Sequence, residues 1–296
     1  MATTADRPFM LARQSRGPLL TAALRIVRNP VGGVFASIIA ILVLCAITAP
    51  WVTAYDPIAT SRATFVPPSW AHPFGTDNIG RDQFSRVIYG SRISLYVGLL
   101  AVSTGILGGT MLGLTSGFLG GKFDLIAQRF VDSILALPGL VLALTLVSVL
   151  GQGTTQVILA VAIVVVPSSS RVVRAAVLSV RQNVYLEAAH ALGASQLRIM
   201  FRHVLPNVVA PILILISASL GGAILIEAGL SFLGLGTQPP TPSWGLMLST
   251  SGRQYMETAP WLAIFPGIAI SVTVLSFNML GDVVRDVLDP RLRGSR

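Results

Sequence analysis

The chain holds few side chains that could do chemistry, and their spacing does not match an enzyme. A nucleotide-binding P-loop needs two glycines separated by four residues, then Lys and Ser or Thr, so that backbone amides cradle the phosphates. Around the only lysine, Lys122, Ser116 replaces the first glycine and Phe123 replaces the Ser or Thr. The Gly-x-Ser-x-Gly and His-Glu-x-x-His patterns are also missing, and no nucleophile is paired with a base. We therefore predict a chain that is not an enzyme.

Groups with metal or redox chemistry are equally sparse. His190 and His203 stand thirteen residues apart on either side of Gly193, and with His72 they do not form a convincing metal cluster. Direct coordination of a metal would need clustered His, Cys or carboxylate ligands. Cys45 is the single cysteine, which excludes an intrachain disulfide. We expect no metal site and no cofactor in this chain.

These residues sit in a chain too apolar for a soluble domain. It is 53% hydrophobic and 11% charged, with a mean hydropathy of +0.74, whereas soluble domains carry about 25% charged residues. A membrane-spanning helix needs about 20 apolar residues. We predict an all-α, polytopic membrane protein with six transmembrane helices. The predicted spans are residues 33–52, 95–118, 134–150 and 156–166, with the fifth inside 204–226 and the sixth inside 258–281.

The positive charges predict the orientation. With the N-terminus inside, 16 of the 21 lysines and arginines lie in inner segments and five in outer ones, as the positive-inside rule requires. This distribution places both termini in the cytoplasm. It also explains the net charge of +9 without a nucleic-acid partner, because the basic residues flank spans and form no compact patch. A signal peptide over residues 1–50 is disfavoured by its long basic region and by the five further spans that follow.

The polar segment YLEAAHALGASQLRIMFRHVLPN, residues 185–207, falls in the cytoplasmic loop between the fourth and fifth spans. Leu197, Met200, Phe201 and Val204 follow a helical spacing and predict one apolar face. We predict two short helices that meet at Gly193, the second limited by the proline of the final LPN. On periodicity alone, this segment could also be an interfacial helix resting on lipid headgroups.

The same segment resembles the EAA loop of bacterial ABC-importer permeases. That pattern has E-A-A, a glycine four residues after the second alanine, and a hydrophobic helix that ends in L-P-N. The matching residues are Glu187, Ala188, Ala189, Gly193, Leu205, Pro206 and Asn207. The resemblance implies a type I ABC-importer permease fold whose loop docks on a cytoplasmic ATPase. Glu187 would make a polar contact with the ATPase, and Gly193 would allow the bend.

Three further segments resemble the second permease of dipeptide, oligopeptide and nickel importers. They are FGTDNIGRDQFSRVIYGSRISL at 74–95, GLSFLGLGTQPPTPSWG at 229–245 and NMLGDVVRDVLDPRLRG at 278–294. The resemblance covers about residues 29–294 and excludes the first 30 residues. It implies transport of short peptides, or alternatively of nickel or another small solute.

The resemblance also implies the partners and the domains. The partners would be a homologous permease, one or two ATPase subunits that bind ATP and Mg²⁺, and an extracytoplasmic substrate-binding protein, all at the bacterial plasma membrane. The predicted domains are a cytoplasmic tail at 1–30, the first span and an outer loop at 31–94, the permease core at 95–283 with its coupling loop at 171–207, and a cytoplasmic tail at 284–296.

Two sites outside the loop remain as predictions. The outer residues Gly75, Thr76, Asp77, Gly80, Arg81 and Asp82 predict tight turns in which carboxylates bond backbone amides or nearby arginines. These turns either shape the face where a binding protein docks or serve the loop's own structure. Trp244, after the fifth span, suits the membrane interface.

Glu227 is the ionisable residue of the fifth span, and such a group is a functional candidate by default. Near the outer end it could reach water or a partner group, so we predict a gate or a structural role. A secondary transporter or channel would place ionisable groups or broken helices near the bilayer midplane. The spans lack the buried charges that this alternative requires.

Overall fold

The computed structural model describes residues 18–288, and these residues form helices and no β-strand. The first half of the chain forms α1 (Pro18–Arg28), α2 (Pro30–Val52), α3 (Gln83–Leu119), α4 (Gly121–Leu135), α5 (Gly139–Leu150) and α6 (Thr154–Arg181). The second half forms α7 (Val184–Ala191), α8 (Gln196–Ile199), α9 (Leu205–Asn207), α10 (Val209–Phe232), α11 (Trp244–Met247) and α12 (Trp261–Leu288). Turns of π-helix follow α8 and α11, at Met200–Val204 and Leu248–Gly252.

Five helices in the described part of the chain, α2, α3, α6, α10 and α12, are long and apolar enough to cross a membrane. The bent pair α4 and α5 adds a sixth span if it is taken as one. The prediction of an all-α, polytopic membrane protein is therefore confirmed. The predicted second span lies inside α3, which begins twelve residues earlier, at Gln83.

The predicted limits of the third and fourth spans are wrong. The third is broken, because α4 ends at Leu135, Pro138 precedes α5, and the two axes differ by 93°. Proline removes a backbone donor and disfavours the α conformation in the residue before it. The fourth span continues through Pro167 to Arg181, since membrane helices tolerate proline when neighbouring groups satisfy the freed carbonyl.

Part of each predicted tail is helical. Residues 1–17 lie outside the described residues, but α1 already occupies 18–28 of the predicted tail. Asn29 then caps α2, because its Oδ1 accepts the amides of Val31 at 3.0 Å and Gly32 at 3.2 Å. At the other end α12 continues to Leu288, and residues 289–296 of the predicted tail lie outside the described residues.

Glycines let α3 and α6 pack at the centre of the bundle. Gly105, Gly109, Gly113 and Gly117 recur every four residues along α3 and face the backbone of α6. A Cβ on Gly105 would lie only 2.6 Å from the carbonyl oxygen of Ala162. Small residues at this spacing allow membrane helices to approach closely and to gain van der Waals contact.

An ion pair fixes the ends of α3, α4 and α6 on the side of the 185–207 loop. Arg174 holds the Asp124 carboxylate with both Nε, at 2.6 Å, and Nη2, at 2.5 Å. Ser116 donates to the same carboxylate and accepts from Gln128 Nε2 at 3.0 Å. Bidentate arginine contacts of this kind add directional specificity, so the loop is attached to helix ends that are held together.

Candidate functional site

The predicted bend of the coupling loop is present at Gly193. The loop itself covers residues 182–208 and not the predicted 171–207, because residues 171–181 belong to α6. α7 ends at the bend in a Schellman motif, in which the Gly193 amide donates to His190 O at 2.9 Å and the Ala194 amide to Ala189 O at 3.1 Å. Gly193 has φ +81°, a left-handed conformation that glycine adopts without strain. Ser195 then caps α8, so two short helices meet at this turn as predicted.

The predicted apolar face of the second helix is only half correct. Met200 and Val204 are buried against α3 and α6, together with Ile199. Leu197 and Phe201 are instead exposed. The buried side is rotated toward Ile199 and away from the predicted stripe, and the π-helical turn at Met200–Val204 departs from the regular 3.6-residue spacing there.

The prediction that the proline of LPN limits this helix is also wrong. Leu205–Asn207 remain helical, and the break follows at Val208. The Leu205 amide donates to Met200 O, five residues back, and this wide turn relieves the clash that a proline ring makes with the carbonyl four residues earlier. Asn207 Nδ2 donates to the Tyr185 hydroxyl at 3.2 Å and to His203 O at 2.6 Å, which ties the end of the loop to its start.

The structure brings the predicted coupling residues together on one loop, with different exposures. Glu187, Ala188 and Gly193 are exposed, and Ala189 is half-buried. A cavity of about 450 Å³ opens between α7 and the end of α3, with Glu187 and Phe118 in its lining. The loop is therefore fixed to the bundle on one side and open on the other.

A second set of predicted residues builds the outer segment, residues 53–82, at the opposite end of α3. Asp77 Oδ1 accepts the amides of Ile79 at 3.0 Å and Arg81 at 2.9 Å, and Arg81 Nε donates to Asp77 Oδ2 at 2.6 Å. Thr76 donates to Ala63 O at 2.6 Å and accepts the Val66 amide at 2.9 Å. The predicted turns and carboxylate contacts are confirmed.

The remaining outer residues also bond within the chain. Asp82 caps α3 through Ser85, whose amide donates to Oδ2 at 2.8 Å, and it pairs with His72 Nδ1 at 2.9 Å. Gly75 and Gly80 both have φ +76°. Asp77 and Asp82 are buried, so their contacts support the loop's own structure, and docking of a binding protein stays a prediction.

The expectation that Trp244 faces the membrane interface is wrong. Its ring is buried, and Nε1 donates to Val87 O at 2.9 Å. Gly90 makes room for it, because a Cβ there would lie 3.1 Å from the indole Cδ1. The indole of Trp244 therefore anchors the outer loop after α10 to α3.

Of the two expectations for Glu227, water or a partner group, the described residues show a partner group. Glu227 is 1% exposed, and Ser231 Oγ donates to its Oε1 at 2.8 Å. Ser94 of α3 lies beside the carboxyl group. Ser231, one turn along α10, could have been found from the sequence, whereas Ser94 is on another helix and no local pattern identifies it. The gate assignment stays a prediction.

The comparison with known families decides the class of protein. The profile described as the binding-protein-dependent transport system inner membrane component matches residues 109–294, more than half of the chain. The chain belongs to this family. Residues 17–68 match the N-terminal transmembrane domain of oligopeptide transport permease C, so the resemblance begins earlier than the predicted residue 29.

Permeases from several bacteria are similar over nearly the whole length. The dipeptide transport system permease protein DppC of Alkalihalophilus pseudofirmus is 44% identical over 90% of this chain and 88% of its own. The di/tripeptide permease DppC of Pseudomonas aeruginosa is 44% identical over 86% of each chain. The glutathione permease GsiD of Escherichia coli is 42% identical over 97% of this chain and 95% of its own. These relatives are named as transport permeases and not as enzymes.

A solved structure supports the fold. A chain of the MetNI methionine ABC transporter in an inward-facing conformation aligns with a TM-score of 0.50 at 19% identity, over 66% of this permease and 94% of that chain. The permease therefore has the fold of type I ABC-importer permeases. A multi-pass permease of this class works with ATPase and permease partners in the inner membrane.

Proposed function

We propose that this permease is the pore-forming subunit through which an ATP-driven importer moves short peptides across the bacterial plasma membrane. The names of its relatives support the substrate, since dipeptides, di/tripeptides and glutathione are all short peptides. A homologous permease would supply the other half of the pathway. A substrate-binding protein would deliver the peptide to the outer segment.

The exposed side of the coupling loop carries the mechanistic part of this proposal. Leu192 is 89% exposed and Leu197 66% exposed, on either side of the Gly193 bend, and Phe201 is also exposed. We call these three side chains, with Glu187, the coupling surface. Large apolar side chains exposed this close together along one loop favour an interaction site, and an ATPase subunit that binds ATP and Mg²⁺ is the partner proposed for them.

The connection from the coupling surface to the spans is short and direct. Ile199, Met200 and Val204 hold the loop against α3 and α6. α9 and α10 are separated only by Val208. A displacement of the loop by closing ATPase domains would therefore move α10 and open the pathway alternately to either side. This direction of coupling requires the loop and both termini to be cytoplasmic, as the bias of positive charges supports.

Purification of the native complex tests the assembly. The chain is tagged in its host, extracted in several mild detergents and analysed with its partners by mass spectrometry. We expect a second six-span permease and P-loop ATPases in the eluate. Recovery of the chain alone, or only as a homo-oligomer in every detergent, would overturn the importer proposal.

Uptake measurements test the substrate. Cells that lack this permease are compared with complemented cells for uptake of labelled dipeptides, tripeptides, glutathione and nickel. We expect the complemented cells to take up short peptides faster than the cells that lack the permease. A difference confined to nickel or another small solute would refute the peptide assignment and leave the importer class intact.

A further inference from the structure

The outer end of α10 contains a carboxyl group whose surroundings do not suit a charge. Glu227 is 1% exposed, and atoms of its own chain cover it. Oε1 accepts from Ser231 at 2.8 Å. Among the described residues, neither Oε2 nor the buried hydroxyl of Ser94 has a hydrogen-bond partner. Ser94 lies on α3 at the level of Glu227, because a Cβ on Gly98, one turn later in α3, would lie 2.7 Å from Ile224, one turn earlier in α10.

No cation among the described residues balances Glu227. The helices that pack on α10 are α3, α5, α6, α9, α11 and α12, together with the π turn at Leu248–Gly252, and neither α9 nor this turn holds a charged residue. The charged residues of the other helices are Arg86, Arg92, Arg171, Arg174, Arg181, Asp282, Arg285 and Asp286.

Each of these charged side chains either contacts another group or lies far from Glu227. Arg86 Nη1 donates to Pro57 O at 3.0 Å and Nε lies 4.0 Å from Asp77. Arg92 is exposed and lies over the Tyr89 ring. The charged residues of α6 and α12 belong to the ends of those helices that lie at the coupling-loop side, opposite Glu227.

An ionised carboxylate without a cation is strongly disfavoured in such a buried place, and two serine hydroxyls do not replace a counter-charge. A neutral carboxylic acid fits the same atoms. Its Oε1 still accepts from Ser231, and a proton on Oε2 supplies the donor that the Ser94 oxygen lacks. The Ser94 hydroxyl can then turn to a carbonyl one turn earlier in α3, as serines in helices commonly do.

We propose that Glu227 is a neutral carboxylic acid in the folded permease and donates a hydrogen bond to Ser94. Glu227 would then be a positioning residue that joins the outer end of α10 to α3. α10 begins next to the coupling loop, and Glu227 follows about 27 Å further along at 1.5 Å per residue. The bond therefore makes the outer ends of both helices move as one unit when the loop is displaced.

Infrared spectroscopy of the purified complex tests the proton directly. The difference spectrum between wild type and Glu227→Gln at neutral pH is expected to contain the C=O stretch of a protonated carboxyl group. Ser94→Ala should shift this band to higher frequency, because the acid loses its acceptor. A difference spectrum with carboxylate bands only, or a band that Ser94→Ala leaves in place, would overturn the proposal.

Distance measurements test the positioning role, and neither experiment needs the transported solute. Spin labels replace the exposed residues Tyr96 on α3 and Leu225 on α10 in a Cys45→Ser background. Glutamine mimics the neutral acid, so Glu227→Gln should keep the wild-type distance distribution, whereas Glu227→Ala should broaden it. A Gln variant as broad as the Ala variant would refute the role. If the Ala variant does not fold, Ser94→Ala replaces it, with the same broadening expected.

Discussion

Replacement of Gly193 by valine perturbs the coupling loop through its backbone alone. Gly193 has φ +81°, and a Cβ built on it meets no atom within 4 Å. The left-handed conformation costs an L-residue roughly 1–2 kcal/mol, and a β-branched residue is especially poor there. A change of this size lowers the equilibrium ratio of the native turn to other loop conformations by a factor of about 5–30.

The expected result of Gly193→Val is uncoupling of ATP hydrolysis from transport. Buried contacts of the loop with α3 and α6 remain, so the variant should insert and assemble normally. The coupling surface would no longer hold a single shape, and the solute moved per ATP hydrolysed should fall, by at most this factor of about 5–30. The assay is uptake and ATP hydrolysis measured together in vesicles that contain the purified complex.

Gly193→Asn is the matched control, because asparagine tolerates the left-handed conformation far better than valine. It adds a side chain of similar size at the same exposed position. We expect the Asn variant to stay close to wild type. Equal solute moved per ATP in the Val and Asn variants would refute the argument that the left-handed turn at Gly193 transmits the motion.

Three further predictions follow from contacts elsewhere in the chain. Glu187→Lys on the coupling surface should reduce co-purification of the ATPase, whereas the same change at exposed Glu257, in the loop before α12, should not. Equal amounts of ATPase recovered with both variants would exclude the contact. Gly105→Ala should destabilise the α3–α6 seam by about 1–3 kcal/mol through overpacking, measured as a lower melting temperature in detergent, whereas Gly222→Ala, with open space around its Cβ, should not. Trp244→Phe should cost about 0.5–1.5 kcal/mol, because the indole bond to Val87 O is lost while that carbonyl keeps its bond within α3. An unchanged melting temperature would contradict that role.

Several features were predictable because short-range chemistry decides them. A bilayer demands about 20 apolar residues from each spanning helix, so most spans could be located by composition. Gly151 and Gly153, with φ of 93° and 141°, separate α5 from α6 where the turn residues predicted a break. The Gly193 bend and the Asp77 turn were also predictable, since their hydrogen bonds join residues only a few positions apart.

Other features depend on which helices meet. Pro138 marks the bend between α4 and α5, but Pro167 leaves α6 continuous, so a proline alone does not show whether a span is broken. From its position in the sequence, Trp244 could contact either lipid or protein. Its ring packs against protein because Gly90 leaves space for it. Phe201 is exposed although its spacing predicts burial, because Ile199 and Met200 provide the side that packs on α3 and α6.

The sequence by itself determined the class of the molecule, most of its spans and the position of the coupling loop, because apolar length, turn residues and the EAA pattern are properties of contiguous segments. Only the tertiary structure decided which side chains of that loop are exposed and that Glu227 lies beside Ser94. Contacts between distant helices depend on packing and register, and the burial of a carboxyl group is the sum of all its neighbours.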